Sequence, residues 1–392
     1  MIKTLNKNNK NFIKKLENLL NKRRFKIQSN DTSVKKIIQQ VRKNGDKSIL
    51  KYEKKFNNNK SITPNIKKNS ENILKLDRKV KQAIDIAYER ILKFHSLQKF
   101  KDISYQDKLK NKLNYKYLPI NSVGIYVPGS SVSYPSTVLM NAIPALVAGV
   151  KRVVMVNPGR NGILDPAVLY AAKKCKISEI YSIGGPAAIA GLAYGTKRIK
   201  KVDKIIGPGN IYVSSAKKEV FGEVGIEGMI AGPSEVTVVA DKYSNAEWVA
   251  SDLIGQAEHD ELAQCILITK SRSFLEKVNK YINIQLKNLP RLRIAKKSLV
   301  RNGIFIKINT DKDIIEIVNK IAPEHLELNI VNYKNISKKI VNAGSICLGK
   351  YSVMAMTDYN VGSNHILPTN SSARFSSGVS VNDFYKYSIS NK

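Results

Sequence analysis

"SVGIYVPGSSVSYPSTVLMNAIPALVAGVKRVVMVNPG", residues 122–159, decides the fold. An apolar, β-branched run (SVGIYVPG) is followed by a helical segment (PSTVLMNAIPALVAG), and a second β-branched run (VKRVVMVNPG) comes next. Strand then helix recurs downstream: VKRVVMVNPG leads into DPAVLYAAKKC, ISEIYSIGG into PAAIAGLAYG, and KVDKIIGPG into NIYVSSAKKEVFG. Buried strands alternating with helices predict right-handed βαβ units around a mostly parallel sheet.

A second set of the same texture follows AGPSEV. It runs VTVVAD, the helix NAEWVASDLIGQAEHD, AQCILITKS, a long helix over Arg272 to Leu289, RNGIFIKIN, DKDIIEIVNKI, HLELNIV and NYKNISKKIVNAG. Upstream, residues 1–118 read as helices, because SVKKIIQQVRKNGDKSILKYEKKF and ENILKLDRKVKQAIDIAYERILKFHSLQKF space apolar residues three and four apart. The expected class is α/β: two incomplete Rossmann-like domains with mostly parallel sheets, a helical N-terminal arm and a short C-terminal segment. The lead-in helices are expected to pack on the second set. The organisation is then an arm over 1–21, a first domain of 22–125 plus 234–379, an inserted second domain over 126–233, and a shortened C-terminal segment over 380–392.

At 392 residues and 43% hydrophobic, the chain is long enough for two domains, each with its own core. The longest apolar stretch, 138–150, is broken by Asn141 and Pro144 and falls short of the roughly 20 residues of a spanning helix. The basic N-terminus lacks an apolar signal core, so a cytoplasmic protein is expected. Cys175, Cys265 and Cys347 lie far apart in apolar runs, which suits reduced thiols. Net charge is +35, and 32 of the 66 Lys+Arg fall in residues 1–118 against 10 of the 31 Asp+Glu. There lysines alternate with Asn and Ile, without zinc spacings or Arg-rich blocks, so solvated helix faces are expected rather than a specific nucleic-acid surface.

Three clusters carry chemistry. In GQAEHDELAQ, Gln256 and His259 are three positions apart, so on a helix they project from one face and can converge on one divalent cation. The alternative is a helix C-terminus whose dipole His259 complements. In IAPEHLEL, Pro323 stops a helix and Glu324 and His325 stand together before a strand, two proton acceptors of different basicity or a chance pair. In MTDYNVGSNHILPT, Asp358 and His365 sit in a Gly-, Asn- and Ser-rich loop, held by a ligand or by turn contacts. Glycine-rich turns at 126–131, 183–188 and 207–212 let a ligand approach backbone N–H groups at helix starts, as a pyrophosphate does, although none matches G-x-G-x-x-G.

Together these stretches, with LAYGTKRIKKVDKIIGPGNIYVSSAKKEVFG, MIAGPSEV and DYNVGSNHILPTNSSARFSSGVSVNDF, follow the order and spacing of histidinol dehydrogenase, and from about residue 10 onward the chain strongly resembles that family. The resemblance implies a zinc-dependent, NAD-linked homodimer that oxidises L-histidinol to L-histidine, the last step of histidine biosynthesis, with terminal segments exchanged between subunits. It implies Gln256, His259 and Asp358 as zinc ligands and Glu324 and His325 as the catalytic pair. Ser234, Gln256, His259, His325 and Asp358 match substrate positions, and Tyr126 and Asn210 match NAD positions. Two departures stand out. Ala187 replaces a glutamine common in the family, which predicts weaker NAD binding. The family continues into a tail that supplies a substrate-binding glutamate and a histidine ligand, whereas no histidine follows His365 here, so zinc is expected to keep three protein ligands, and the difference implies a weak or inactive product, a sequence cut short, or an enzyme that manages without the tail. The competing expectations are a zinc/NAD dehydrogenase for another polar alcohol, a catalytically silent dimer, and a basic protein that holds a polyanion.

Overall fold

The strand nearest the quoted stretch is β4 (Ser122–Tyr126), and four of its five residues are buried. It is the centre of a parallel five-stranded sheet, flanked by β5 (Arg152–Val156) and β6 (Glu179–Tyr181) on one side and by β7 (Lys204–Ile206) and β8 (Gly225–Ile226) on the other. The computed structural model describes residues 2–27, 32–62, 73–129, 133–159, 161–227 and 232–392. The chain divides into two units, one of residues 30–229, 359–366 and 379–392, the other of 1–29, 230–358 and 367–378.

In the first unit all four strand-then-helix repeats read from the sequence are present. Pro135 opens the helix Pro135–Ala148, and Gly149, in the left-handed region at φ 88°, ends it. That helix is buried along nearly its whole length, so its apolar residues face strands on one side and the helix Arg78–Ser96 on the other.

The lead-in helices correct the expected domain plan. Val34, Ile37, Ile38 and Val41 of the helix Thr32–Asn44 share a core with Ala188, Ile189 and Leu192, and Ile84 and Ile91 share one with Leu139 and Ile143. The helices Thr32–Asn44 and Arg78–Ser96 therefore clothe the five-stranded sheet instead of joining 234–379. Periodicity reveals that a helix has an apolar face but not which sheet that face covers. Gly45, at φ 52°, divides the first lead-in segment into two helices, Thr32–Asn44 and Asp46–Asn57.

Residues 103–119 also depart from the helical expectation. β2 (Ile103–Gln106) and β3 (Lys112–Pro119) pair antiparallel, and β14 (Tyr385–Asn391) adds to β3 on its other edge. The C-terminal segment thus completes a sheet of the first unit, where Phe384 is fully buried.

The second unit is a six-stranded parallel sheet. Its order is β1 (Lys3–Asn6), β11 (Ile304–Lys307), β10 (Gln264–Thr269), β9 (Glu235–Ala240), β12 (His325–Asn329), β13 (Ser345–Leu348). The N-terminal arm lies on its own chain: β1 pairs in parallel with β11, and Phe12, Leu16 and Leu20 enter the core beside Ile306 and Ile314. Burying each such side chain contributes roughly 1.5–3 kcal/mol, which fixes the helix Phe12–Ile27 against the sheet. β1, β13 and the helix Leu292–Asn302 were not anticipated from the sequence.

Candidate active site

β9 precedes β10 and β11 on one side and β12 and β13 on the other, so the order of the six-stranded sheet reverses between β9 and β12. Open α/β sheets bind ligands at such a reversal, usually beyond the carboxyl ends of the strands. Here the expected functional groups gather at the opposite, amino ends. Glu324 and His325 begin β12, Ser234 immediately precedes β9, and Gln256 and His259 end the segment that leads to β10.

The approach to β12 is fixed by backbone chemistry. The helix Asp311–Ile321 carries a capping box at Thr310 and Asp313 and stops at Ala322, at φ 48°. Pro323 follows, and the Ser345 N–H donates to the Glu324 carbonyl at 2.9 Å, so the pair is already tied to β13. His325 Nε2 lies 3.9 Å from Glu324 Oε1 and 3.6 Å from Asp358 Oδ1. All three groups are largely removed from water, with side-chain exposures of 7%, 3% and 15% for Glu324, His325 and Asp358.

Burial sets the charges. It raises the Glu324 pKa well above the ordinary carboxylate range, and the nearby Glu235 carboxylate adds to the effect. Against this, the Glu235 N–H donates to Glu324 Oε2 at 2.7 Å. Burial likewise pushes Asp358 up to about 7. His259, just past the end of its helix and largely exposed, is held below the usual histidine value chiefly by partial desolvation, which the Glu258 carboxylate opposes.

Behind Glu324 stands a pair that the sequence reading missed. Arg23, from the N-terminal helix, forms a buried ion pair with Glu235, and its guanidinium also donates to the carbonyls of Leu262, at 2.9 Å, and Pro233. The Asn370 N–H donates to Glu235 Oε1 at 3.0 Å. A signal for Arg23 was present: Phe12, Leu16, Leu20 and Arg23 recur at helical spacing, so a charge stands on an apolar face. Asp252 and Glu327, also missed, are carboxyls inside apolar segments, and burial foremost raises Asp252 to about 6 and Glu327 to about 8.

Asp358 does not lie in an irregular loop as expected, but near the end of the helix Met354–Tyr359. Gln256 is in the last turn of the helix Ala246–Ala257, and His259 follows in a turn closed by its N–H to the Gln256 carbonyl, 3.3 Å. Gln256 is 2% exposed, and its Nε2 is buried without a hydrogen-bond partner among the described residues. No group of three His, Cys, Asp or Glu side chains able to hold a metal is found among the described residues. The expected set of amide, imidazole and carboxylate contains only two of those types. The Ser234 carbonyl accepts from the Gln264 N–H at 3.0 Å, which fixes its strand entry.

In the other unit, the sheet order reverses between β4 and β7, and here the expected residues do lie at the carboxyl ends. Tyr126 ends β4, and its buried hydroxyl accepts from the Gly185 N–H at 3.1 Å. Asn210 follows β7 and caps the helix Ile211–Glu219, accepting from the Tyr212 and Val213 N–H groups. Gly207, at φ 108°, passes so close to Tyr126 that a Cβ would meet its carbonyl oxygen at 2.2 Å. The turn at 183–188 is less open than a pyrophosphate site requires, because Glu53 accepts from the Gly184 N–H at 2.7 Å and Tyr126 takes the Gly185 N–H. Ala187 is buried in the apolar core. Ser130 and Ser131 of the first glycine-rich turn lie outside the described residues. His95 is a core residue bonded to the Ile91 carbonyl, and His365 makes an edge contact with Tyr359. The three cysteines are buried and free. No helix among the described residues is long and apolar enough to cross a membrane.

Comparison with known proteins gives one consistent result. A family model described as histidinol dehydrogenase matches residues 20–392. The histidinol dehydrogenase of Pelagibacter ubique (strain HTCC1062) is 72% identical over 386 residues, which cover 98% of this chain and 90% of that protein. Histidinol dehydrogenase 1 of Trichormus variabilis (strain ATCC 29413 / PCC 7937) is 45% identical over 96% of this chain and 87% of its own length. The crystal structure of histidinol dehydrogenase from Elizabethkingia anophelis superposes with a TM-score of 0.92 at 36% identity, covering 100% of this chain and 90% of that one.

Proposed function

The chain belongs to the histidinol dehydrogenase family, oxidoreductases of histidine biosynthesis, and from that premise we propose that it oxidises L-histidinol to L-histidine through L-histidinal, using zinc and NAD. The observation that carries the site assignment is the meeting of Glu324, His325 and Asp358 at the amino end of β12, within 3.9 Å and 3.6 Å.

The residues fit both groups. Gln256 is buried with its amide Nε2 lacking a partner among the described residues; imidazole nitrogen and carboxylate oxygen are ordinary zinc donors and an amide oxygen a rarer one, so His259, Asp358 and, through Oε1, Gln256 are the proposed ligands. Tyr126 and Asn210 flank the reversal point of the five-stranded sheet, where α/β proteins hold nucleotides, and Gly207 lets the chain after β7 pass against the Tyr126 backbone between them. When bound, zinc held by Gln256, His259 and Asp358 would fix the amino alcohol, and NAD held at Tyr126 and Asn210 would accept hydride from it.

The protein's own groups move the protons. His325 Nε2 takes the hydroxyl proton as hydride leaves, which yields the aldehyde, and the neighbouring Asp358 carboxylate stabilises the imidazolium. Glu324, buried and therefore more basic than an exposed carboxylate, takes a proton from the water that adds to the aldehyde. His325, having released its first proton to solvent, would take a hydroxyl proton of the hydrate as the second hydride leaves to a second NAD, giving the carboxyl group, which ionises. Ser234 and the ligand residues orient the substrate, and holding it at these side chains through both steps keeps the aldehyde from escaping.

A homodimer working in the cytoplasm completes the proposal. Ile103, Tyr105, Leu113, Tyr115, Tyr387 and Ile389 share one face of the β2–β3–β14 sheet, most of them exposed, which suits burial against a second copy. Free buried thiols suit a reducing compartment. The test of the activity is incubation of purified protein with zinc, NAD and L-histidinol. NADH formation that disappears in a folded His325→Asn variant supports the reading; full activity in that variant removes His325 as the base.

A further inference from the structure

We propose that Asp252 and Glu327 are a positioning pair, bonded to one another, that holds the Gln256 helix and the Asp358 helix to the strand beginning at His325. The inference rests on the zinc reading above and extends it to residues that touch neither metal nor substrate.

Glu327 lies in the middle of β12 at 1% exposure, two residues after His325. Its Oε1 accepts from the Met354 N–H at 2.7 Å. Met354 is the first residue of the six-residue helix Met354–Tyr359, so this bond satisfies an N–H that has no partner within the helix. Asp358 follows one turn later, at the spacing that places it on the same helix face. Glu327 therefore anchors the start of the segment that presents Asp358.

Asp252 supplies the other connection. It precedes Gln256 by four residues on the helix Ala246–Ala257, again one turn, and its Oδ2 is buried without a hydrogen-bond partner among the described residues, so a bond from the Glu327 carboxyl would satisfy it. Ionised carboxylates are acceptors only, so this contact requires a proton. Burial foremost raises both carboxyls, Glu327 to about 8 and Asp252 to about 6, so the pair retains a proton at neutral pH. A neutral Glu327 can accept from Met354 through one oxygen and donate to Asp252 through the other. An apolar residue of similar volume could do neither, and the Met354 N–H would be buried unsatisfied. Metal ligands need placement to about 0.5 Å, a tolerance that a short helix anchored only by packing does not secure.

The experiment compares zinc affinity by competition with a chromogenic chelator, and the visible spectrum of the cobalt-substituted protein, in wild type, Glu327→Gln, Glu327→Leu and Asp252→Ala, with circular dichroism as the check of folding. Glutamine can reproduce both bonds. We expect Glu327→Gln to stay within about threefold of wild type, and folded Glu327→Leu to lose about 10- to 100-fold in zinc affinity, the usual effect of removing a group that orients a ligand, with an altered cobalt spectrum. Asp252→Ala keeps the Met354 bond and reports on its own if Glu327→Leu does not fold; it should lose about 10-fold. Folded Glu327→Leu or Asp252→Ala with unchanged affinity and spectrum overturns the pair, as does Glu327→Gln impaired as much as Glu327→Leu. A folded wild type that binds no zinc refutes the zinc reading itself, and the pair with it.

Discussion

Arg23→Met should destabilise the protein far more than a surface arginine would. Arg23 and Glu235 are each 4% exposed, and the substitution leaves the Glu235 carboxylate buried with, among the described residues, the Asn370 N–H to compensate it. Removing one partner of a buried ion pair costs about 3–5 kcal/mol, because the stranded charge keeps its desolvation penalty. The carbonyls of Leu262 and Pro233 also lose a donor. Replacing both charges removes the stranded group, so Arg23→Met combined with Glu235→Gln should regain most of the loss, while the Glu235 backbone N–H that donates to Glu324 is untouched. Urea denaturation of the two single variants, the double variant and wild type at pH 7 gives the four corners of the cycle. A loss below about 1 kcal/mol in Arg23→Met, the size of a surface pair, or a double variant as unstable as the single one, would refute the assignment of a buried ion pair behind Glu324.

Stability of the metal-free protein should depend on pH with a definite sign. Asp252 and Glu327 titrate near 6 and 8 when folded, above their ordinary values, so the native state holds extra protons and loses stability as pH rises through that window, by ~1.4 kcal/mol per pH unit for each proton. Thermal scans from pH 5 to 8.5 should show the decline, with a shallower slope in Glu327→Gln; a flat profile in wild type contradicts the burial argument. Gly207→Ala should weaken NADH binding measured by fluorescence and lower the melting temperature, because its Cβ would meet the Tyr126 carbonyl at 2.2 Å in a left-handed backbone; unchanged affinity would place the dinucleotide elsewhere. Ile389→Asp, at a position 61% exposed in the single chain, should convert a dimer to a folded monomer by light scattering, and a persistent dimer would move the interface to another surface.

Much of the architecture was legible because buried parallel strands leave a strong pattern. SVGIYV, KRVVMV and VTVVA are β-branched runs that suit little besides a covered sheet, and each is a strand. The period-2 alternation of Leu113, Tyr115 and Tyr117 was also present, but lysines and asparagines between them obscured β3 within a segment read as helical. The lead-in helices were placed on the wrong sheet because amphipathicity is a local property and docking is not. Glu324 and His325, the proposed catalytic pair, were a weak signal by themselves, a Glu-His neighbour after Pro323, and stood out only once the family resemblance was added. Arg23, Glu235, Asp252 and Glu327 were less so, since a buried charge is recognised only once its partner is known, and these partners come from distant parts of the sequence.

The central claim is that one site removes both hydrides from the same carbon. Limiting L-histidinol should be incubated with the zinc-loaded protein and excess NAD, and NADH and histidine measured together. Two NADH per histidine, with no aldehyde captured by an external trapping reagent, is the result the site predicts. One NADH per histidinol with free aldehyde in solution, or no NADH from folded, zinc-loaded protein, would contradict it.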